Sequence, residues 1–110
     1  MTTVTIGEGI TYIGKNAFNG FTVLNTVTIE GTGCELGISA FSKDAALTTF
    51  NAPNGIGNVG ENAFYQCSLL PAVTFADTAE TIGRYAFYKC TALTSVTLPE
   101  SVKTVDTYAF

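Results

Sequence analysis

Histidine and tryptophan are absent from this chain, proline and cysteine each occur three times, and charged residues are scarce. Each shortage removes a class of function. Without histidine there is no imidazole base, no Ser-His or Cys-His nucleophile and no usual zinc site. Charged residues are 13% of the 110, about half of the ~25% usual in globular domains. That is too little Lys and Glu for a helical bundle or coiled coil, while the apolar content is too high for a disordered chain. The balance of five Lys and Arg against nine Asp and Glu, formally −4, argues against nucleic acid and anionic membrane as partners. No apolar run approaches the ~20 residues of a membrane-spanning helix. The start, Met1 to Ile6, has neither a basic nor a long apolar region, so it reads as no signal peptide. A chain of this kind either stays in the cytoplasm or is a piece of something longer.

Threonine and glycine fill the space that charge leaves, with 18 and 11 residues. Thr, Val, Ile, Phe and Tyr suit a pleated surface, which favours a β-rich fold. The organising feature is the pair Ala-Phe, at Ala17-Phe18, Ala40-Phe41, Ala63-Phe64, Ala86-Phe87 and Ala109-Phe110, every gap being 23 residues. Other positions share that register. Gly14, Gly37, Gly60 and Gly83 stand four residues before each Phe, with Asp106 departing from the column. Ile13, Leu36, Val59, Ile82 and Val105 stand one earlier. Upstream come Val4, Val27, Phe50, Val73 and Val96, then Ile6, Ile29, Ala52, Phe75 and Leu98, with Leu24, Leu47, Leu70 and Leu93 ahead of them.

Val96 and Leu98 alternate with Ser95 and Thr97, the period of a strand with one buried face. Gly7, Pro53 and Pro99 share the column that ends this strand. A second apolar pair such as Val102 and Val105 suits a tight turn or a short second strand. The glycine after it needs either positive φ or close approach of another chain segment. No unit of 23 residues buries its own apolar face, so the units must stack and share one core. At ~4.8 Å per rung, about 4.5 rungs form a rod only ~20–25 Å long, with the five Phe rings as an internal aromatic spine.

At these residues the chain resembles the BspA-type, or Treponema pallidum-type, leucine-rich repeat. The unit Tyr65 to Phe87 carries most of the pattern, with Leu70, Val73, Phe75, Ile82, Gly83, Ala86 and Phe87, followed by Cys90. The likeness covers the whole chain. Its departures are Gly33 in the column of Ile10, Ile56 and Val102, Asp106 for Gly, and the degenerate unit Ser42 to Phe64. The resemblance implies a repeat solenoid, mostly β: a right-handed leucine-rich-repeat solenoid of about five repeats, with short parallel strands and turns. Residues 1–110 then form a single domain, with repeats ending at Phe18, Phe41, Phe64, Phe87 and Phe110. It implies a non-enzymatic binding or adhesion module of surface or secreted proteins, with the main strands on the concave side. It brings no catalytic motif, cofactor or metal.

The outward residues of the main strands are the candidate ligand face: Thr5, Thr26, Thr28, Thr49, Asn51, Thr74, Ser95 and Thr97, with Thr3 and Ala72 beside them. A hydroxyl-lined face of this kind docks a protein or a glycan, one on a host surface included, and a regular Thr-x-Thr ladder also raises ice binding. The plainer explanation is that Thr pairs well across rungs. Cys67 and Cys90 share a column, where parallel side chains favour two buried free thiols over a disulfide. Glu8, Asn54, Asp77 and Glu100 form an acidic column at the turns, better read as solvated than as a calcium site. Tyr65 with Tyr88, and Tyr85 with Tyr108, share columns and either pack laterally between rungs or anchor a partner. Phe110 lies on the spine at the last position, so the segment reads as part of a longer array, or as one that forms homo-oligomers through its outermost rungs. A structural or self-assembling repeat without a soluble ligand is the alternative function. Localisation stays open from this chain, with the cell surface expected for a typical family member.

Overall fold

A computed structural model describes residues 2–110. Eight strands and no helix are present among the described residues. They are β1 (Thr2–Ile6), β2 (Tyr12–Ile13), β3 (Leu24–Ile29), β4 (Cys34–Leu36), β5 (Thr49–Asn51), β6 (Ile56–Val59), β7 (Thr81–Ile82) and β8 (Thr104–Val105). They form two sheets, β1-β3-β5 and β2-β4-β6-β7-β8, and every pairing is parallel. Val4 faces Val27 and Val27 faces Phe50, each 23 residues on. The principal extents are 36 × 30 × 24 Å, so the stack is a squat block rather than a thin rod.

The Ala-Phe turns form a third side. Phe18, Phe41, Phe64 and Phe87 each donate a backbone N–H to the Ala carbonyl of the next rung, at 2.6–2.8 Å. The five rings stack in a single file with centroids 5.1–5.5 Å apart and planes within 13°. Phe50 meets Phe41 and Phe64 edge-on, and Phe75 meets Phe87 the same way, the geometry that the ring quadrupole favours. Phe41, Phe64 and Phe87 are among the largest fully buried side chains.

From Gly37 onward, the glycine column works through close approach, not positive φ. A Cβ on Gly60 would lie 2.8 Å from the Gly37 carbonyl carbon, and one on Gly83 would lie 2.6 Å from the Glu61 nitrogen. Both neighbours are backbone, so the rungs would have to separate. Positive φ instead falls two residues before each Phe, at Asn16, Ser39, Asn62, Tyr85 and Tyr108. There, N–H groups donate to the next rung at 2.9, 2.9, 3.0 and 3.3 Å, the longest being Tyr85 to Thr107, beside the one rung where Asp106 replaces glycine.

Candidate functional site

The candidate face divides into two parts. Thr5, Thr26, Thr28, Thr49 and Asn51 lie on β1, β3 and β5, in register as Thr5–Thr28–Asn51 and Thr26–Thr49. Thr5, Thr49 and Asn51 are exposed, and Thr26 and Thr28 are half-buried. Thr74, Ser95 and Thr97 are exposed too, but they stand outside any strand. The expectation of one ladder through all five rungs is therefore corrected: the main-strand sheet stops at β5.

Proline explains the stop. On the preceding rung, Thr48 N–H donates to the Asn25 carbonyl at 3.0 Å. The donor required one rung later is residue 71, and Pro71 has no N–H to offer the Thr48 carbonyl. The following segment finds another partner. Ile56 N–H donates to the Thr74 carbonyl at 2.9 Å, and Ala76 N–H donates to the Ile56 carbonyl at 2.8 Å, which bridges Phe75 to Ile56. Phe75 thus leaves the partner expected from its column, Ala52, for a residue 19 positions away. Gly55, at φ +83°, admits this crossing, since a Cβ there would lie 2.3 Å from the Ala76 nitrogen.

The displaced strand leaves its edge open. Among the described residues, no main-chain hydrogen bond joins Thr49–Asn51 to Ala72–Phe75, nor Ala72–Phe75 to Ser95–Leu98. A groove of about 510 Å³ lies along the second of these gaps, lined by Ala72, Thr74, Phe75, Ser95, Thr97 and Pro99 among others. The last three candidate residues line this groove, while the first five form a polar surface of four hydroxyls and one amide beside it.

The cysteine column contains a residue that sequence reasoning missed. Cys67 and Cys90 are free and buried, as is Cys34. The Cys67 and Cys90 thiols donate to the Phe41 and Phe64 carbonyls, each at 3.0 Å. Burial pushes the Cys90 thiol up to about 11 and raises Cys67 still further, so neither is a thiolate poised for chemistry. One rung earlier the same column holds Asp44, fully buried. Its Oδ1 accepts the Phe21 N–H at 2.8 Å, while Oδ2 has no partner. Burial raises its pKa to about 7, against the lowering effect of the Phe21 and Gly20 N–H groups. The 23-residue offset from Cys67 was the available signal.

The other expectations fall on the surface. Glu8, Asn54, Asp77 and Glu100 are all exposed, and Asn54 Nδ2 donates to the Glu30 carbonyl at 3.1 Å. The tyrosines do pack between rungs: Tyr65 stacks on Tyr88 at 5.9 Å and Tyr85 on Tyr108 at 5.5 Å.

Stacked parallel rungs, an aromatic spine and a Cys column after the Phe define a leucine-rich-repeat solenoid. The chain belongs to the BspA-type leucine-rich-repeat family, whose model matches residues 1–110 with six copies. The crystal structure of a leucine-rich-repeat protein from T. pallidum is similar, at 26% identity and a TM-score of 0.83. The match covers 94% of this chain and 50% of that one, so the present chain spans about half of its length. A comparison with curated proteins gives no match. The repeat family and fold make this a protein-interaction or structural repeat module.

Proposed function

We infer that the chain is a non-enzymatic docking module that binds an extended segment of a partner protein, in the manner of an adhesion repeat at a cell surface. The observation that carries this reading is the open strand edge. The groove beside Thr74, Ser95 and Thr97 combines exposed hydroxyls with main-chain groups that no neighbouring rung pairs. An added peptide strand satisfies such groups and gains affinity from them. The flat Thr surface of β1, β3 and β5 extends the contact area.

Phage-displayed dodecapeptides selected on the chain test the reading. Thr74→Arg and Thr97→Arg, both on exposed positions, are expected to weaken the selected peptides at least tenfold, with unchanged melting temperature. Peptides that bind both variants as well as the parent would overturn the assignment. The alternative, a self-assembling structural repeat, draws on the same open strand edge, which a second copy of the chain is equally able to pair. Sedimentation that shows association rising with concentration, without added peptide, would favour it.

A further inference from the structure

The side of the solenoid formed by the Ala-Phe turns carries a feature that the docking groove does not use. Two columns on this side change character along the stack. One reads Asn16, Ser39, Asn62, Tyr85, Tyr108, and the other Asn19, Ser42, Tyr65, Tyr88. Small polar residues thus give way to rings, and the surface steps up. At the step lies a hollow of about 680 Å³, lined by Asn19, Ser39, Ser42, Asn62, Tyr65 and Tyr85 among others. Tyr88 covers one face of Tyr65, and Tyr108 covers one face of Tyr85. The opposite face of Tyr65 looks down its column over Ser42, into the hollow, while Arg84 lies over the Tyr85 ring.

Charge collects at the same place. Lys43, Arg84 and Lys89 border the hollow, with Glu61 as the single carboxylate. The remainder of the chain holds two cations and eight acidic residues. Arg84 lies 5.3 Å from the Tyr85 ring centre, and Lys89 lies 5.7 Å from that of Tyr88, within cation–π range. No carboxylate forms a salt bridge with these three cations among the described residues. The chain as a whole repels anions, and this hollow reverses that locally.

Many main-chain donors here are already paired. Ser39, Asn62 and Tyr85 N–H groups donate to the next rung, and so do Lys43 and Gln66. A peptide strand finds no continuous row of open main-chain groups on this side, so recognition falls mainly to side chains. Flat ring faces, amides and hydroxyls at the floor, and cations at the rim together suit a sugar that carries negative charge. The backbone also gives a reason to look for function. Tyr85 and Tyr108 have φ of +59° and +54°, where Asn is the residue that adopts positive φ with least strain, and Asn occupies two of the five positions. The rings must return something for that cost.

We propose that this stepped hollow binds an anionic oligosaccharide, with a pyranose ring stacked on Tyr65 and its carboxylate or sulfate held by Lys89 and by Arg84, which rests on Tyr85. The chain's own columns supply variants that the fold already accommodates: Tyr65→Ser matches Ser42, Tyr85→Asn matches Asn62, and Lys89→Gln matches Gln66. Arg84→Gln adds a pure charge change.

The test is titration of the intact chain with a heparin tetrasaccharide, read by calorimetry and by tyrosine ring NMR signals. Chondroitin sulfate, a hyaluronan fragment without sulfate, neutral chitotetraose and hexaglutamate are the comparison arms. The expected result is saturable binding of the tetrasaccharide. Tyr65→Ser and Arg84→Gln each weaken it five- to tenfold, and their combination weakens it more than thirtyfold, with melting temperatures near the parent's. Binding of hyaluronan would identify carboxylate as sufficient, and its failure beside chondroitin sulfate binding would identify sulfate. No saturation at millimolar tetrasaccharide would overturn the site. So would equal binding of chitotetraose or hexaglutamate, or affinity unaltered in the double variant.

Discussion

Two parallel sheets run side by side through this solenoid and meet different fates. The narrower one, β2-β4-β6-β7-β8, passes through all five rungs although its strands have only two to four residues. The broader one begins with strands of five and six residues and ends after three rungs. Strand length therefore does not decide persistence. The narrow sheet persists because its glycine column lets backbone lie on backbone, and because the adjacent Ala-Phe turns hold each rung to the next. The broad sheet ends where Pro71 withholds one N–H and Gly55 offers the displaced segment another place to pair. The missing donor opens the edge between β5 and Ala72–Phe75, and the docking groove lies on the far side of that displaced segment, between it and Ser95–Pro99.

The largest expected effect comes from the element that serves both sheets. Phe64 stacks between Phe41 and Phe87 and is fully buried, so Phe64→Asp places an unpaired charge in the spine. Loss of the cooperative thermal transition is the expected outcome, and a melt near the parent's would refute the stacked spine. Phe64→Ala is expected to cost about 3–5 kcal/mol by denaturant titration.

Glycine substitutions probe the sheets separately. Gly60→Ala drives a methyl against Gly37 backbone at 2.8 Å and is expected to cost about 1–3 kcal/mol. Gly7→Ala, at the end of β1 with nothing within 4 Å of its Cβ, is expected to stay within about 0.5 kcal/mol. Equal costs at the two positions would erase the distinction between them.

Asp44 separates the end of the stack nearest the N-terminus from the thiol-capped rungs beyond it. Its pKa is raised to about 7 in the fold, so the folded chain holds a proton that the unfolded chain releases near pH 4. Its stabilising contribution is full below about pH 4 and is lost as pH rises through about 7. Asp44→Asn keeps an acceptor for the Phe21 N–H and is expected to flatten that slope in urea titrations between pH 4 and 8. An unaltered slope would show that Asp44 is not its source. The smallest effect is expected from Pro71→Thr, which restores the missing donor. Its stability should change by less than about 1 kcal/mol, with new amide protection at residue 71.

The columns of the repeat were legible because stacking demands the same residue type every 23 positions, and Phe, Ala, Gly and Val recur without exception or nearly so. The two thiols and the tyrosine pairs followed from register alone. The end of the broad sheet was written in the sequence as well, but as Pro71, a residue whose effect is felt on the neighbouring rung rather than on its own. Asp44 escaped because its column was read through its cysteines. Phe75 escaped because a 19-residue pairing breaks the period on which every other inference rested. The rise from Asn and Ser to Tyr along two columns became informative only once ring stacking and the Arg84 contact showed that Tyr65 keeps a face toward the hollow.

Amide hydrogen exchange measured residue by residue tests the central comparison most directly. The account predicts slow exchange at Leu36, Gly60 and Gly83, which belong to the continuous ladder and its rung-to-rung bonds, and fast exchange at Val73, Val96 and Leu98. Equal protection of Val73, Val96 and Leu98 would mean that the broad sheet runs through all five rungs, and would contradict both the break at Pro71 and the open groove.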